Sequence, residues 1–135
     1  MLAWLRDAGV ELRTRHTVRT AEQLPIETLP RLATTAPGAA AYFETERGLL
    51  VCGTGMGAAI AGNKYPGIRA AVCHDTHSAH QCVEHDNVNL LCIGGQIIGL
   101  WLAQDILAAF LGAEFSTEEH FRRRVQKLAE LERWA

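Results

Sequence analysis

From Gly48 onward, short apolar runs alternate with segments of helical periodicity. Leu49–Cys52, Ile68–Cys73 and Val88–Ile93 are short, mostly apolar runs of the length of buried strands. Between the strands, Met56–Lys64 and Thr76–Glu84 read as helices, with Tyr65-Pro66-Gly67 as a turn. Ile97–Leu111 predicts a strongly apolar helix that offers Leu100, Trp101, Ile106, Leu107 and Phe110 for packing, with Gly112 as its stop. Ser116-Thr117-Glu118-Glu119 reads as the N-terminal cap of a last, charged helix ending near Trp134. Strands and helices alternating at this spacing predict right-handed crossovers and a parallel sheet. The first 47 residues are less regular: Leu2–Ala8 reads as helix, Gly9–Arg13 as strand, and Pro25–Phe43 as a helical region broken by Pro30 and Pro37.

Size and composition narrow the picture. At 135 residues the expectation is a single domain, 1–135, with a real core. A net charge of −2 removes any bulk electrostatic case for nucleic acid, and Arg122-Arg123-Arg124 is too short to change that. No apolar stretch approaches the roughly 20 residues that span a bilayer, and Met1–Leu5 lacks the pattern of a secretion signal. Cys52, Cys73, Cys82 and Cys92 lie in or beside apolar runs, which reads as reduced thiols in a cytoplasmic protein.

The chemistry concentrates after the first of these strands. Cys52 opens the loop Gly53-Thr54-Gly55-Met56-Gly57, which runs into the helix beginning Ala58-Ala59-Ile60. N–H groups at such a helix start favour negative charge, a setting that suits a thiol serving as base or nucleophile. In its plainest reading the loop is a tight βα turn. A dinucleotide fingerprint, Gly53-x-Gly55-x-x-Ala58 with Asp75 beyond the next strand, is a further alternative. Cys73, His74, Asp75, His77, His80, Cys82 and His85 invite a zinc reading, but no Cys-x-x-Cys or His-x-x-x-His pair is present, so no metal is expected.

The run Cys52–Gly57, then Ala61-Gly62-Asn63-Lys64 and Gly67–Cys73, resembles the ribose-5-phosphate isomerase B family, which includes the galactose-6-phosphate isomerase subunits. The likeness continues through Ser78-Ala79, His85-Asp86, Asn89-Leu90-Leu91, Gly94, Gly99 and Phe110-Leu111-Gly112. It implies a three-layer α/β/α sandwich around a Rossmann-like, mainly parallel sheet, here lacking the family's first strand. It also implies a homodimer or homotetramer with an active site shared between subunits, with a paralogous partner subunit as an alternative.

Aldose–ketose isomerisation removes a carbon-bound proton beside a carbonyl and returns it one carbon away. Cys52 is the candidate base, Thr54 a candidate relay between the two oxygens, and the Gly53–Gly57 loop a cradle for the cis-enediolate. The resemblance assigns ring opening to His85 of a neighbouring subunit. It places Gly53, Gly55, Met56, Gly57, Asp86 and Arg124 at the substrate, and it needs no metal or organic cofactor. Ribose 5-phosphate and ribulose 5-phosphate are the default pair; a tetrose, hexose or unphosphorylated sugar, or a non-catalytic partner subunit, are the alternatives. This chain departs from the family at Gln96 and His120, where arginines are common, and it has no counterpart of the family's opening Asp-His segment.

Overall fold

The computed structural model describes residues 40–44 and 47–134. Within these residues four strands, β1 (Ala40–Glu44), β2 (Arg47–Cys52), β3 (Ala70–Val72) and β4 (Leu90–Gly94), form one sheet in the order β1-β2-β4-β3. Among the described residues four helices accompany them: α1 (Met56–Gly62), α2 (Thr76–Asp86), α3 (Leu100–Gly112) and α4 (Glu119–Leu131), the last followed by a 3-10 turn over Glu132–Trp134. β2, β4 and β3 are mutually parallel, as the strand–helix alternation predicts.

β1 corrects the helical reading over residues 40–43; the rest of that segment, 25–39, lies outside the described residues. β1 pairs antiparallel with β2, Ala41 opposite Leu50 and Phe43 opposite Gly48. The outer edge of β2 carries N–H and C=O groups that need partners, and this pairing supplies them. The expected helix over Leu2–Ala8 and strand over Gly9–Arg13 lie outside the described residues.

Two cores sandwich the sheet because its central strands alternate. Leu50, Leu90 and Cys92 face one side, where Ala58 and Ala59 bring α1 close. Leu49, Leu91 and Ile93 face the other, against Val83 of α2 and Ile106, Leu107 and Phe110 of α3. Topology gives the reason. The crossover from β2 to β3 passes over β4 in one direction, and the return from β3 to β4 runs in the other. Right-handed connections therefore put α1 and α2 on opposite faces. α4 packs outside α2 and buries none of its own residues.

Several boundaries differ from the sequence pattern, each because a tertiary partner intervenes. α1 stops at Gly62 because the Asn63 amide turns to the edge strand, donating to Ala70 O and accepting from Ala70 N, both at 2.8 Å. α3 begins at Leu100, not Ile97, because the Gly95 and Gln96 N–H groups bond to Cys52 O (2.8 Å) and Gly53 O (3.1 Å). Gly112 is the last helical residue and not the stop; the Arg47 guanidinium closes α3 by donating to Phe110 O, Leu111 O and Ala113 O at 2.6–3.0 Å. Ser116 does not cap α4 as a capping box; its hydroxyl accepts from Glu118 N, and Glu118 is the cap residue.

Candidate active site

Cys52 ends β2 opposite Gly94 of β4 and is half-buried. Its Sγ accepts a hydrogen bond from Gly55 N at 3.2 Å, so the loop folds back over the thiol. Gly55 makes this possible with a left-handed φ of 82°, and a Cβ there would meet Ile93, Gly94 and Val72 at 3.2–3.3 Å. One of the donors expected for an anion cradle is thus committed to sulfur. Gly53, Thr54, Met56 and Gly57 are exposed around it. Nothing stands within 4 Å of where a Cβ on Gly57 would be.

The mouth of the loop is held by β4. Beyond the two backbone bonds from Gly95 and Gln96, the Gln96 side-chain oxygen would lie 3.3 Å from a Cβ on Gly53. Gln96, where the family often has arginine, therefore lies over the loop as a neutral amide.

His85 and Asp86 belong to a different part of the molecule. α2 starts at the carboxyl edge of the sheet, just after β3, and runs back to end at Asp86 before β4 begins. His85 therefore sits at the edge opposite Cys52. Its ring stacks on Phe121 of α4 with centroids 3.9 Å apart and planes 15° apart. The Arg124 guanidinium lies 5.7 Å over the same Phe121 ring, and the His120 ring approaches it with centroids 3.9 Å apart. Sequence pattern marked His120 and Arg124 but passed over Phe121; an aromatic one residue after His120 and three before Arg124 on a helix was the available signal. His120 pairs with Glu118 at 3.3 Å, and Arg122 lies 5.1 Å over Phe115.

Asp86 faces a third region, an open cavity of about 510 Å³ lined also by Tyr65, Ile68, Arg69, Leu128 and Glu132. Arg69 is held below the usual guanidinium range by burial, which outweighs the attraction of Glu132. Its Nε donates to Asn87 O at 2.6 Å. Asn89 is buried at the same edge, accepting from Arg69 N and donating to Gly67 O, so it supports the fold far from Cys52.

The histidine–cysteine segment after β3 is dispersed into separate tasks. Asp75 caps α2 through Ser78 N at 2.7 Å, and that bond holds its carboxylate below the ordinary range. Cys73 Sγ donates to Cys82 Sγ at 3.8 Å and Cys82 Sγ donates to Ala79 O at 3.2 Å; the contact between the two thiols draws Cys73 down and pushes Cys82 up. His80 pairs with Glu84 at 3.5 Å. His74 Nε2 accepts from Gly94 N at 3.0 Å. Among the described residues no group of three or more such side chains gathers as a metal site would, and no helix is long and apolar enough to cross a membrane.

Known proteins share this arrangement. Residues 3–128 match the Ribose/Galactose Isomerase family. Ribose-5-phosphate isomerase B of Escherichia coli (strain K12) is 40% identical over 103 residues, 76% of this chain and 68% of that protein. D-erythrulose-4-phosphate isomerase 2 of Mycolicibacterium smegmatis is 39% identical over the same shares of both chains. The solved structure of Clostridium thermocellum ribose-5-phosphate isomerase B superposes with a TM-score of 0.74 at 33% identity, covering 98% of this chain and 86% of that one. With its parallel sheet, its cysteine loop at the carboxyl edge and these likenesses, the chain belongs to the ribose/galactose isomerase family of sugar-phosphate isomerases.

Proposed function

We propose that this chain interconverts an aldose phosphate and a ketose phosphate through a cis-enediolate, with Cys52 as the base. The observation that carries the reading is the half-buried Cys52 sulfur at the carboxyl edge of the sheet, with the Gly55 N–H directed at it. Ligands of open α/β sheets bind outside the carboxyl ends of the strands, where this thiol sits. Cys52 takes the proton from C2 of the open-chain aldose, and the electron pair of that C–H bond forms the enediolate. Thr54 moves the hydroxyl proton between O1 and O2, and the proton held by Cys52 returns at C1. Loop N–H groups not engaged with sulfur face the developing oxyanion, typically worth a few kcal/mol per donor.

His85 opens the sugar ring from a second copy of the chain. Its place at the edge opposite Cys52 supports this reading, because one chain does not bring the two together. Ile97, Leu100 and Trp101 follow the Gly94 turn at the Cys52 edge, and Trp101 is 83% exposed. They offer the apolar surface a second copy would cover. Arg124, with Arg122 and Arg123 on the same helix, supplies charge for the phosphate, and Asp86 completes the partner's half.

Ribose 5-phosphate and ribulose 5-phosphate are the first substrate pair. A tetrose phosphate is the second, since a relative of 39% identity is named for D-erythrulose 4-phosphate. Incubation with each sugar in deuterated water tests both. Exchange at C2 that disappears in Cys52→Ala is the expected result; no exchange with any sugar phosphate, or exchange unaffected by Cys52→Ala, sinks the reading.

A further inference from the structure

We propose that His74 is a positioning residue that sets the geometry of the Cys52–Gly57 loop through Gly94. The ladder between β3 and β4 ends at Val72 opposite Cys92, with one further bond from Cys73 N to Cys92 O at 3.3 Å. Gly94 is buried, and its N–H lies beyond that ladder. The His74 side chain supplies the acceptor, Nε2 at 3.0 Å. As an acceptor that nitrogen carries no proton, so the neutral ring is the form that holds Gly94.

Gly94 is the residue against which the catalytic loop rests. It is the register partner of Cys52, and a Cβ on it would stand 2.8 Å from both Cα and C of Thr54. The next two residues, Gly95 and Gln96, bond to Cys52 O and Gly53 O. Three strand ends are therefore linked in sequence: His74 after β3 holds Gly94 of β4, and Gly94 with its two successors holds the loop after β2. No polar atom of His74 needs to reach the substrate for this. Small displacements of a reacting group can cost orders of magnitude in rate, so the bond acts on catalysis through placement alone.

The inference rests on the isomerase reading for its catalytic consequence, but not for its structural one. The test compares His74→Leu, which removes the acceptor, with His74→Gln, whose amide oxygen can replace it. His74→Leu is expected to lower kcat roughly tenfold with KM within about twofold of wild type, and His74→Gln to restore most of the loss. A purely structural role would lower the melting temperature of His74→Leu and leave kcat unchanged, which overturns the proposal.

A second measurement needs no substrate: the rate at which iodoacetamide alkylates Cys52, followed by peptide mass spectrometry. That rate should depart from wild type in His74→Leu and return in His74→Gln; identical rates in all three proteins overturn the proposal. If the wild-type protein isomerises no sugar phosphate, the isomerase reading fails while the alkylation rates still decide the role of His74. Should His74→Leu not fold, His74→Asn, whose shorter amide falls short of Gly94, takes its place. In the unaltered protein, a nitrogen–nitrogen coupling across the Gly94–His74 hydrogen bond is expected by nuclear magnetic resonance, and its absence counts equally against the proposal.

Discussion

Gly94 lies directly beneath Thr54: a Cβ on Gly94 would sit 2.8 Å from Thr54 Cα and 2.7 Å from Ile97 Cγ1. The first of these neighbours is backbone and cannot rotate away. Gly94→Ala should therefore push the loop outward, costing about 1–3 kcal/mol of stability as overpacking does. Under the proposed mechanism it should also lower kcat by more than it raises KM. Denaturant midpoints and steady-state kinetics on the purified variant check both effects. A variant with unchanged midpoint and unchanged kcat would show that the contact is not tight.

Phe121 organises the second half of the proposed site, since His85 stacks on it and Arg124 and His120 lean on it. Because α4 buries none of its residues, Phe121→Ala should cost only about 1 kcal/mol of stability. Its larger effect should be on kcat/KM, lowered roughly tenfold as His85 and Arg124 lose their support. Phe121→Tyr keeps the ring face and should retain activity near wild type. Equal activity of the alanine and tyrosine variants would refute the role given to the ring.

Arg47 holds the carboxyl end of α3 from the start of β2, with three carbonyls on one guanidinium. It also lies 5.5 Å over the Phe110 ring. Arg47→Met should cost about 2 kcal/mol, because the last carbonyls of the helix lose charged donors. Arg47→Lys should recover only part of that, since an ammonium cannot match the planar fork. Urea denaturation of the three proteins measures the order. A lysine variant as stable as wild type would show that charge alone suffices.

Cys92 is fully buried in β4, and its thiol is pushed up from 9.0 to about 12, first by burial and then by the Cys52 and Cys73 thiols. In the unfolded chain the thiol ionises at its ordinary value, while the folded protein keeps it neutral. Its contribution to stability is therefore complete below pH 9.0 and declines as pH rises toward about 12. Unfolding free energies measured across that interval should fall more steeply for wild type than for Cys92→Ala. Parallel curves would assign the alkaline loss to other groups.

Local periodicity made the parallel part of this fold legible. Leu49-Leu50-Val51 and Leu90–Ile93 are apolar at every position because both of their faces are covered, and that condition is written in consecutive residues. The Cys52–Gly57 loop was equally legible, because a strand end, a left-handed glycine at Gly55 and a helix start are neighbours in the chain. Tertiary structure alone decided what lies next to that loop. Strand order sets Gly94 beside Cys52 and carries His85 to the far edge of the sheet, and order in a sheet depends on crossovers that no local pattern encodes. For the same reason His74 stood out only as one member of a metal-like cluster, and Phe121 carried no mark of its own. Each matters through partners 20 and 36 residues distant, Gly94 and His85, which only the folded backbone brings within reach.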